Sequence, residues 1–384
     1  MSSSSSSEAE LIPSLPNDIA LNILARVPRS YHPTLSLVSK PIRSLLLSLT
    51  FFNARTALPS AEPIFYLTPY DHRKPWYALF RNPFNPNLFA PVRIPPIPSS
   101  SYLFNPTFAV VGPKIYVIGG TYPSIHLCLS AEVWVLDCRF NRWEEGPTML
   151  TGRLHAVANV VDGKIYVMGG SNSRIRAEML DPAVGKWVEL PCPFHIHKPT
   201  QIKQWIFFMD VCGKSMWAEH ACPFMNLYSG CGEASAVVDD KIYVNAKVDE
   251  EVYHQVVFDT ASGKWDCVVE REDKLYLGSV LVDGILYSFN PWGKIRGFDV
   301  KKRVLKESDY IDDERERADN ETLSVLTYAD GKFYLIWGDD TVKCGEIEVN
   351  WNGDGELLAR ISSTREIVSI PYHYHKQSCL TVFL

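Results

Sequence analysis

Residues His155–Gly170 read H-A-V-A-N-V-V-D-G-K-I-Y-V-M-G-G. Two runs rich in valine and isoleucine flank the pair Asp162-Gly163, and the pair Gly169-Gly170 closes the stretch. An Asp-Gly pair between two apolar runs predicts a β-hairpin, because a type I′ turn needs a positive φ at both central residues. The final two glycines allow two backbones to approach closely. The stretch therefore predicts a hairpin followed by a tightly packed segment.

Parts of this unit recur along the chain. An aspartate stands six residues before a tryptophan at Asp137/Trp143, Asp181/Trp187 and Asp259/Trp265. The tyrosine of the second strand, Tyr166, has four counterparts in similar apolar runs, Tyr116, Tyr243, Tyr287 and Tyr334. A four-stranded propeller blade takes roughly 40–50 residues, and each interval between these tyrosines fits one blade except the long one from Tyr166 to Tyr243.

The repeats predict a mainly β fold, a β-propeller with six blades. The predicted units are 64–98, 107–147, 153–191, 200–270, 278–305 and 322–384. Seven blades are the alternative, since residues 192–234 could contain a further blade around Ile206–Trp217 or a long insertion. The alternating apolar residues of Ile361–Leu384 predict strands that close the ring on the first blade, which would remove free sheet edges.

Residues 11–52 are different in kind and predict three short helices. Pro16, Pro33 and Pro41 suit the first positions of helices, where a missing N–H costs nothing. Ile19 and Ile23, with Val27, form one apolar stripe. We expect a disordered serine-rich leader at 1–10, a connector at 53–63 and the propeller at 64–384. About forty residues cannot bury much core alone, so we expect the helices to be held close to the propeller.

Composition excludes several classes of function. The net charge of −6 does not favour binding to nucleic acid or to an anionic membrane surface. No apolar run approaches the roughly 18–20 residues needed to cross a bilayer. Nine cysteines at irregular spacings, without a signal peptide, favour reduced thiols and a location in the cytoplasm or nucleus.

The helical stretch resembles the F-box motif. The resemblance is carried by Leu15-Pro16-Asn17-Asp18-Ile19, Ile23-Leu24-Ala25-Arg26-Val27-Pro28, Leu35-Ser36-Leu37-Val38-Ser39-Lys40 and Ile42-Arg43-Ser44-Leu45. That family inserts its helices into the Skp-type adaptor of SCF ubiquitin ligases. The resemblance implies that the residues that form or support the adaptor surface are Leu15, Pro16, Ile19, Ile23, Leu24, Leu35, Val38 and Leu45. Ile42 stands where the family usually has tryptophan, a departure that puts the strength of adaptor binding in doubt.

The repeats resemble the kelch repeat, in which two glycines follow an apolar strand and a tryptophan follows further along. The resemblance implies structural roles within the blades for Gly119, Gly120, Trp143, Gly169, Gly170, Trp187 and Trp265. The third and later repeats lack the glycine pair, with Asn245-Ala246 in its place in the third.

No catalytic residues, cofactor or metal site are predicted, since no nucleophile elbow, P-loop lysine or H-E-x-x-H motif is present. The pairs His195/His197 and His373/His375 have no third ligand at a recognisable spacing. Cys212, Cys222 and Cys231, near His220, miss the short spacing of a zinc clip. For these residues we favour surface or packing roles.

Partner-binding candidates are loop residues that follow the glycine pairs and tryptophans outside the repeat position. They are Tyr122, Arg174, Arg176, Trp205 and Trp292.

Together the two resemblances imply a plant F-box/kelch protein without enzymatic activity of its own. Such a protein recognises substrates for an SCF-type E3 ubiquitin ligase, with a Skp-type adaptor, the cullin-based core and a target protein as partners. The alternative is a free-standing kelch scaffold without a ligase role. The target protein and the oligomeric state cannot be read from the sequence.

Overall fold

The chain folds into a small helical module followed by a ring of β-sheets. The structure is a computed structural model that describes residues 10–58, 62–69, 75–82, 89–98, 103, 105–122, 128–154, 156–171, 177–191, 202–209, 215–222, 235–247, 253–271, 280–289, 294–299, 302, 304–308, 325–337, 341–351, 356–369 and 376–384. Within this part of the chain, no helix is both long and apolar enough to cross a membrane.

The helical module contains four α-helices and one short 3-10 helix. They are α1 (Asn17–Ala25), the 3-10 helix (Arg29–Tyr31), α2 (His32–Leu35), α3 (Lys40–Leu46) and α4 (Leu49–Thr56). Pro33 and Pro41 lie in the first turns of α2 and α3, as predicted. Pro16 is the residue that precedes α1, so the prediction that it occupies the first helical position was wrong by one residue.

Helix α4 was not predicted, and the count of three helices was therefore wrong. The Ser48 hydroxyl caps it by accepting a hydrogen bond from the Phe51 N–H at 3.2 Å. Because α4 ends at Thr56, it crosses the boundary placed after residue 52 and shortens the connector. Phe51 and Phe52 on α4 are buried and complete the core of the module.

Six sheets of four strands each form the ring. Blade 1 contains β1 (Pro63–Pro69), β2 (Trp76–Arg81) and β3 (Phe89–Ile94). Blade 2 contains β4 (Thr107–Val111) and β5 (Lys114–Ile118), then, after the small pair β6 (Thr121–Tyr122) and β7 (Cys128–Leu129), β8 (Val133–Asp137) and β9 (Arg142–Glu145). Blade 3 contains β10 (Val157–Val161), β11 (Lys164–Met168), β12 (Ala177–Asp181) and β13 (Lys186–Glu189).

The rest of the ring follows two strands that belong to no blade, β14 (Ile202–Met209) and β15 (Ser215–Cys222). Blade 4 contains β16 (Ala236–Val238), β17 (Lys241–Lys247), β18 (Tyr253–Asp259) and β19 (Lys264–Arg271). Blade 5 contains β20 (Val280–Val282), β21 (Ile285–Phe289), β22 (Ile295–Asp299) and β23 (Val304–Glu307). Blade 6 contains β24 (Val325–Ala329), β25 (Lys332–Trp337), β26 (Thr341–Trp351) and β27 (Leu357–Ser369), and the last strand is β28 (Lys376–Phe383).

Strand β28 is the fourth strand of blade 1. It pairs antiparallel with β1, with Ile64 opposite Val382 and Tyr66 opposite Leu380. The prediction that the C-terminal strands close the ring on the first blade is confirmed. The first and last strands of the propeller therefore support each other within one sheet.

The ring has six blades, and the seven-blade alternative was wrong. The Trp265 indole of blade 4 donates a hydrogen bond to the Pro191 carbonyl, which leaves blade 3, at 2.8 Å. Trp187 makes the same bond to Pro147 at 2.7 Å, across the junction between blades 2 and 3. Because the pattern is kept, blade 4 follows blade 3 directly in space. Strands β14 and β15 pair only with each other among the described strands, so they belong to an insertion and do not form a blade.

The two ends of the blades differ in how the strands are joined. In blade 3 the tight turn Asp162-Gly163 joins the first two strands, whereas the glycine pair follows the second strand. Because neighbouring strands are antiparallel, these two connections lie at opposite ends of the sheet. We call the two ends of the ring the turn face and the Gly-pair face. Asp162 and Gly163 have φ values of 48° and 72°, as the predicted hairpin turn requires.

The glycine pair of blade 3 packs against the segment that enters the blade. A Cβ on Gly170 would lie 2.4 Å from the Leu154 carbonyl oxygen, too close for any side chain. The Leu154 N–H donates to the Gly170 carbonyl at 2.8 Å. Beside it, the buried Arg153 guanidinium pairs with Glu178 at 2.8 Å and donates to the Gly169 carbonyl. The glycine pair is thus a packing element of the blade.

Candidate functional site

The helical module exposes an apolar surface. Ile19 and Ile23, four residues apart on one face of α1, are 45% and 48% exposed, and Val38 after α2 is 66% exposed. Ala20 and Leu24, one residue further along and about 100° round α1, are buried. An isolated exposed apolar residue is ordinary, but several on one small module indicate an interaction surface.

The other predicted adaptor residues lie at different depths. Pro16 is exposed, while Leu15, Leu35 and Leu45 are half-buried. Leu24 is buried in the core of the module beside Phe51, so its place is beneath the exposed surface. Ile42 is also buried in this core, so it contributes to the internal packing of the module.

Three exposed leucines were missed by the sequence reasoning. Leu37, Leu47 and Leu49 are all more than half exposed on the same module. A signal for Leu47 was present, because Leu45, Leu46 and Leu47 are consecutive and a short helix cannot bury three consecutive residues.

The module meets the propeller at the turn face of blades 1 and 2. Phe52 of α4 packs edge-on against Phe140 in the turn between β8 and β9, with ring centres 5.2 Å apart. Arg29 and Arg55 of the module are both buried at this junction. Burial lowers the pKa of both guanidinium groups, since removal from water disfavours the charged form.

Burial also changes the pKa of His32, which follows the 3-10 helix at the start of α2. Burial, together with the positive charges of Arg55 and Arg29, lowers the pKa of His32 to about 3. The imidazole packs edge-on against Phe51, with ring centres 5.2 Å apart, and its Nε2 lies 3.4 Å from the Val27 carbonyl oxygen. His32 is therefore neutral at physiological pH.

The predicted partner-binding residues lie wholly or partly outside the described part of the structure. Tyr122 lies on β6 and Trp205 on β14, and their side chains are outside the described part of the structure. Arg174, Arg176 and Trp292 are outside the described residues altogether. Tyr122 follows the second strand of blade 2 and its glycine pair, which places β6 at the Gly-pair face.

The described residues offer no cluster of three potential metal ligands. The predicted histidine pairs and Cys212 and Cys231 are outside these residues, and of His220 and Cys222 only the backbone in β15 is described. Cys138, Cys344 and Cys379 are buried. Burial raises the pKa of Cys138 to about 12, so this thiol is not a nucleophile at neutral pH.

Comparison with known proteins supports the same two-part organisation. The F-box domain family matches residues 12–53, and the family described as FKB95, Kelch-repeats domain, matches residues 76–214. The chain is 30% identical over 378 residues to F-box/kelch-repeat protein At4g39590 of Arabidopsis thaliana, covering 92% of this chain and 86% of that protein.

Two further relatives come from the same plant. F-box/kelch-repeat protein At5g39560 is 26% identical, with 95% of this chain and 91% of that protein covered. F-box/kelch-repeat protein At4g39560 is 41% identical over 180 residues, with 45% of this chain and 66% of that protein covered. The helical module at 12–53, the six-bladed ring and these matches together show that the chain belongs to the plant F-box/kelch-repeat proteins.

Proposed function

We propose that this protein is the substrate-recognition subunit of an SCF-type E3 ubiquitin ligase. The helical module binds a Skp-type adaptor, which connects it to the cullin-based core, and the propeller holds a target protein for ubiquitination. The protein performs no bond chemistry. It raises the effective concentration of the target's lysines near the ubiquitin-conjugating enzyme.

The observation that carries the proposal is the exposure of the apolar side chains of Ile19, Ile23 and Val38 on a module that matches the F-box domain. These side chains remain exposed although the module also packs on the propeller through other residues, such as Phe52 and Arg29. A module that connects the propeller to an adaptor needs exposed apolar residues besides those that pack on the propeller. The nine cysteines at irregular spacings favour reduced thiols, which supports assembly in the cytoplasm or nucleus.

The two faces of the ring support separate places for the helical module and for the target protein. The helical module occupies the turn face at blades 1 and 2, and the glycine pairs of blades 2 and 3 lie at the other face. A target bound at the Gly-pair face would not compete with the helices for space. Loops held by a rigid scaffold are the usual place for recognition.

Co-purification with a plant Skp-type adaptor tests the proposal. We expect full-length protein to retain the adaptor, and Ile23→Asp and Val38→Asp to lower retention at least about tenfold, since each buries a charge in an apolar interface. Val184→Asp is the matched control, because Val184 is also a largely exposed apolar residue but lies between β12 and β13 of the propeller.

Two results would contradict the proposal. The first is that the unchanged protein does not retain the adaptor, which would favour the free-standing kelch scaffold. The second is that Ile23→Asp and Val38→Asp retain the adaptor as well as Val184→Asp does, since the apolar surface would then have no part in binding.

A further inference from the structure

Arg29 joins the helical module to blade 2. It lies in the 3-10 helix directly after α1 and is only 8% exposed. Its guanidinium donates to the carbonyl oxygens of Cys138 and Arg139, the latter at 2.7 Å. Both carbonyls belong to the turn between β8 and β9, at the turn face. The same guanidinium lies over the rings of Phe52 in α4 and Phe80 in β2, at 5.5 and 5.7 Å from their centres. It therefore contacts both the helical module and the propeller.

Arg55 joins the module to blade 1. It is 6% exposed, and it donates to the Ala25 and Val27 carbonyls at the end of α1 at 2.9 and 2.7 Å. The same guanidinium donates to Glu62 Oε2 at 3.1 Å and to the Leu384 carbonyl at 3.3 Å. Glu62 precedes β1 and exchanges two backbone hydrogen bonds of 3.0 Å with Leu384, after β28.

Glu62 connects the two arginines. Its Oε2 atom accepts the Arg55 guanidinium and also the backbone N–H of Arg29 at 2.9 Å. The junction is thus a network in which two buried cations and one carboxylate bind main-chain atoms of two blades and of the helices. Apolar contacts alone are not directional, whereas a planar guanidinium with two or more bonds fixes both position and angle.

We propose that Arg29 and Arg55 fix the orientation of the helical module on the propeller, so that the ligase delivers ubiquitin to a restricted region around the ring. This inference rests on the proposed function, because it concerns how the adaptor-bound module is aimed. Neither arginine belongs to the exposed apolar surface, so both act as positioning residues. Without them the module would sample several orientations.

The propeller contains a set of lysines that can report this orientation. Four blades begin their second strand with lysine at the turn face, Lys114, Lys164, Lys241 and Lys332, in blades 2, 3, 4 and 6. Each is paired with a carboxylate on its own blade, and each is between 31% and 52% exposed. The four therefore have similar chemistry and differ mainly in their position around the ring.

The test is self-ubiquitination of the full-length protein in a ligase reconstituted with a Skp-type adaptor, a cullin core and a conjugating enzyme. Mass spectrometry measures the ubiquitin on each of the four lysines at early times. We expect an uneven distribution in the unchanged protein, with at least about fivefold between the most and least modified lysine. In Arg29→Met, which keeps the apolar stem but cannot donate, we expect the four to become equal within about twofold.

Arg26→Met is the matched control, because Arg26 is an exposed arginine of the same module whose guanidinium donates to the Asn22 carbonyl of its own helix. It should leave the distribution uneven. Arg29→Lys retains the positive charge but lacks the planar set of guanidinium N–H donors. If Arg29→Met does not fold, the lysine distribution in Arg29→Lys is the test. An even distribution in the unchanged protein would overturn the inference. So would an unaltered uneven distribution in Arg29→Met or, where that variant does not fold, in Arg29→Lys.

Failure of the proposed function gives a different result. In that case the unchanged protein does not retain the adaptor at all, and no lysine is modified above the level without adaptor. That outcome overturns both proposals. When the adaptor is retained equally by the unchanged protein and the Arg29 variants, the lysine distribution reports orientation alone.

Discussion

Glu178→Gln should destabilise the propeller through the buried pair that this residue forms with Arg153. Both side chains are fully buried, and the Arg153 Nε and Glu178 Oε1 atoms are 2.8 Å apart. Glu178 Oε2 also accepts the Leu150 N–H at 2.8 Å. Glutamine keeps the shape but removes the charge, and its amide N–H₂ group would face one of these two donors.

The expected loss follows from the burial of both groups. Removing one partner of a buried pair leaves an uncompensated charge and costs about 3–5 kcal/mol of the free energy of unfolding. With an m-value near 3 kcal/mol/M, the urea midpoint should fall by roughly 1–1.7 M. The double variant Arg153→Met/Glu178→Leu should recover part of this loss, because it leaves no buried charge, although the Leu150 N–H and the Gly169 carbonyl lose these partners.

Urea unfolding of the full-length protein, followed by tryptophan fluorescence and circular dichroism, measures both variants. The control is Glu346→Gln, which breaks the half-exposed pair between Glu346 and Lys332. Exposed pairs contribute about 0–1 kcal/mol, so this variant should shift the midpoint little. The reasoning is refuted if Glu178→Gln shifts the midpoint no more than Glu346→Gln does, or if the double variant is no more stable than Glu178→Gln.

Two further predictions concern other parts of the fold. Gly170→Ala should cost several kcal/mol, because its Cβ would meet the Leu154 carbonyl at 2.4 Å, whereas Gly163→Ala has a similar φ with open space around it and should cost only about 1–2 kcal/mol. Equal losses in thermal melts of these two variants would contradict the packing role of the glycine pair. For His32, the pKa of about 3 in the folded state lies below 6.5 in the unfolded state. The unfolded state therefore binds the extra proton, and stability is lost as the pH falls from 6.5 towards 3, by about 2 kcal/mol between pH 7 and 5. His32→Phe should remove this part of the pH dependence of unfolding, and an unchanged dependence would show that His32 titrates normally.

The repeated parts of the fold could be predicted from the sequence because they are local. The turn at Asp162-Gly163, the glycine pairs and the tryptophans stand at short, regular spacings, and each depends on neighbours within one blade or the next. Closure by the last strand was also predictable, since the alternation of Leu380 and Val382 indicates a strand with no partner nearby in the chain.

The junction between module and propeller could not be predicted. Arg55 and Leu384 are 329 residues apart, and no periodicity relates them. An arginine in a helix is usually solvated, so nothing in the sequence distinguishes the buried Arg29 from the exposed Arg26. The Arg153–Glu178 pair was missed for the same reason, because its partners lie in different structural segments of the blade. Helix α4 was missed because its apolar residues Phe51 and Phe52 are adjacent and give no helical stripe.

The hydrogen bond from Trp265 to Pro191 joins blade 4 directly to blade 3. The ring is therefore complete without residues 192–234, which lie between these two blades in the sequence. The cost of closing a loop between two fixed points grows only with the logarithm of its length, by about 0.6 kcal/mol for each doubling. Selection can therefore lengthen, shorten or rewrite this stretch almost without thermodynamic penalty. Both ends of the stretch lie at the Gly-pair face, where Pro191 leaves β13 and Ser235 leads into β16. The length and sequence of this one segment can therefore change without moving the strands that form the ring.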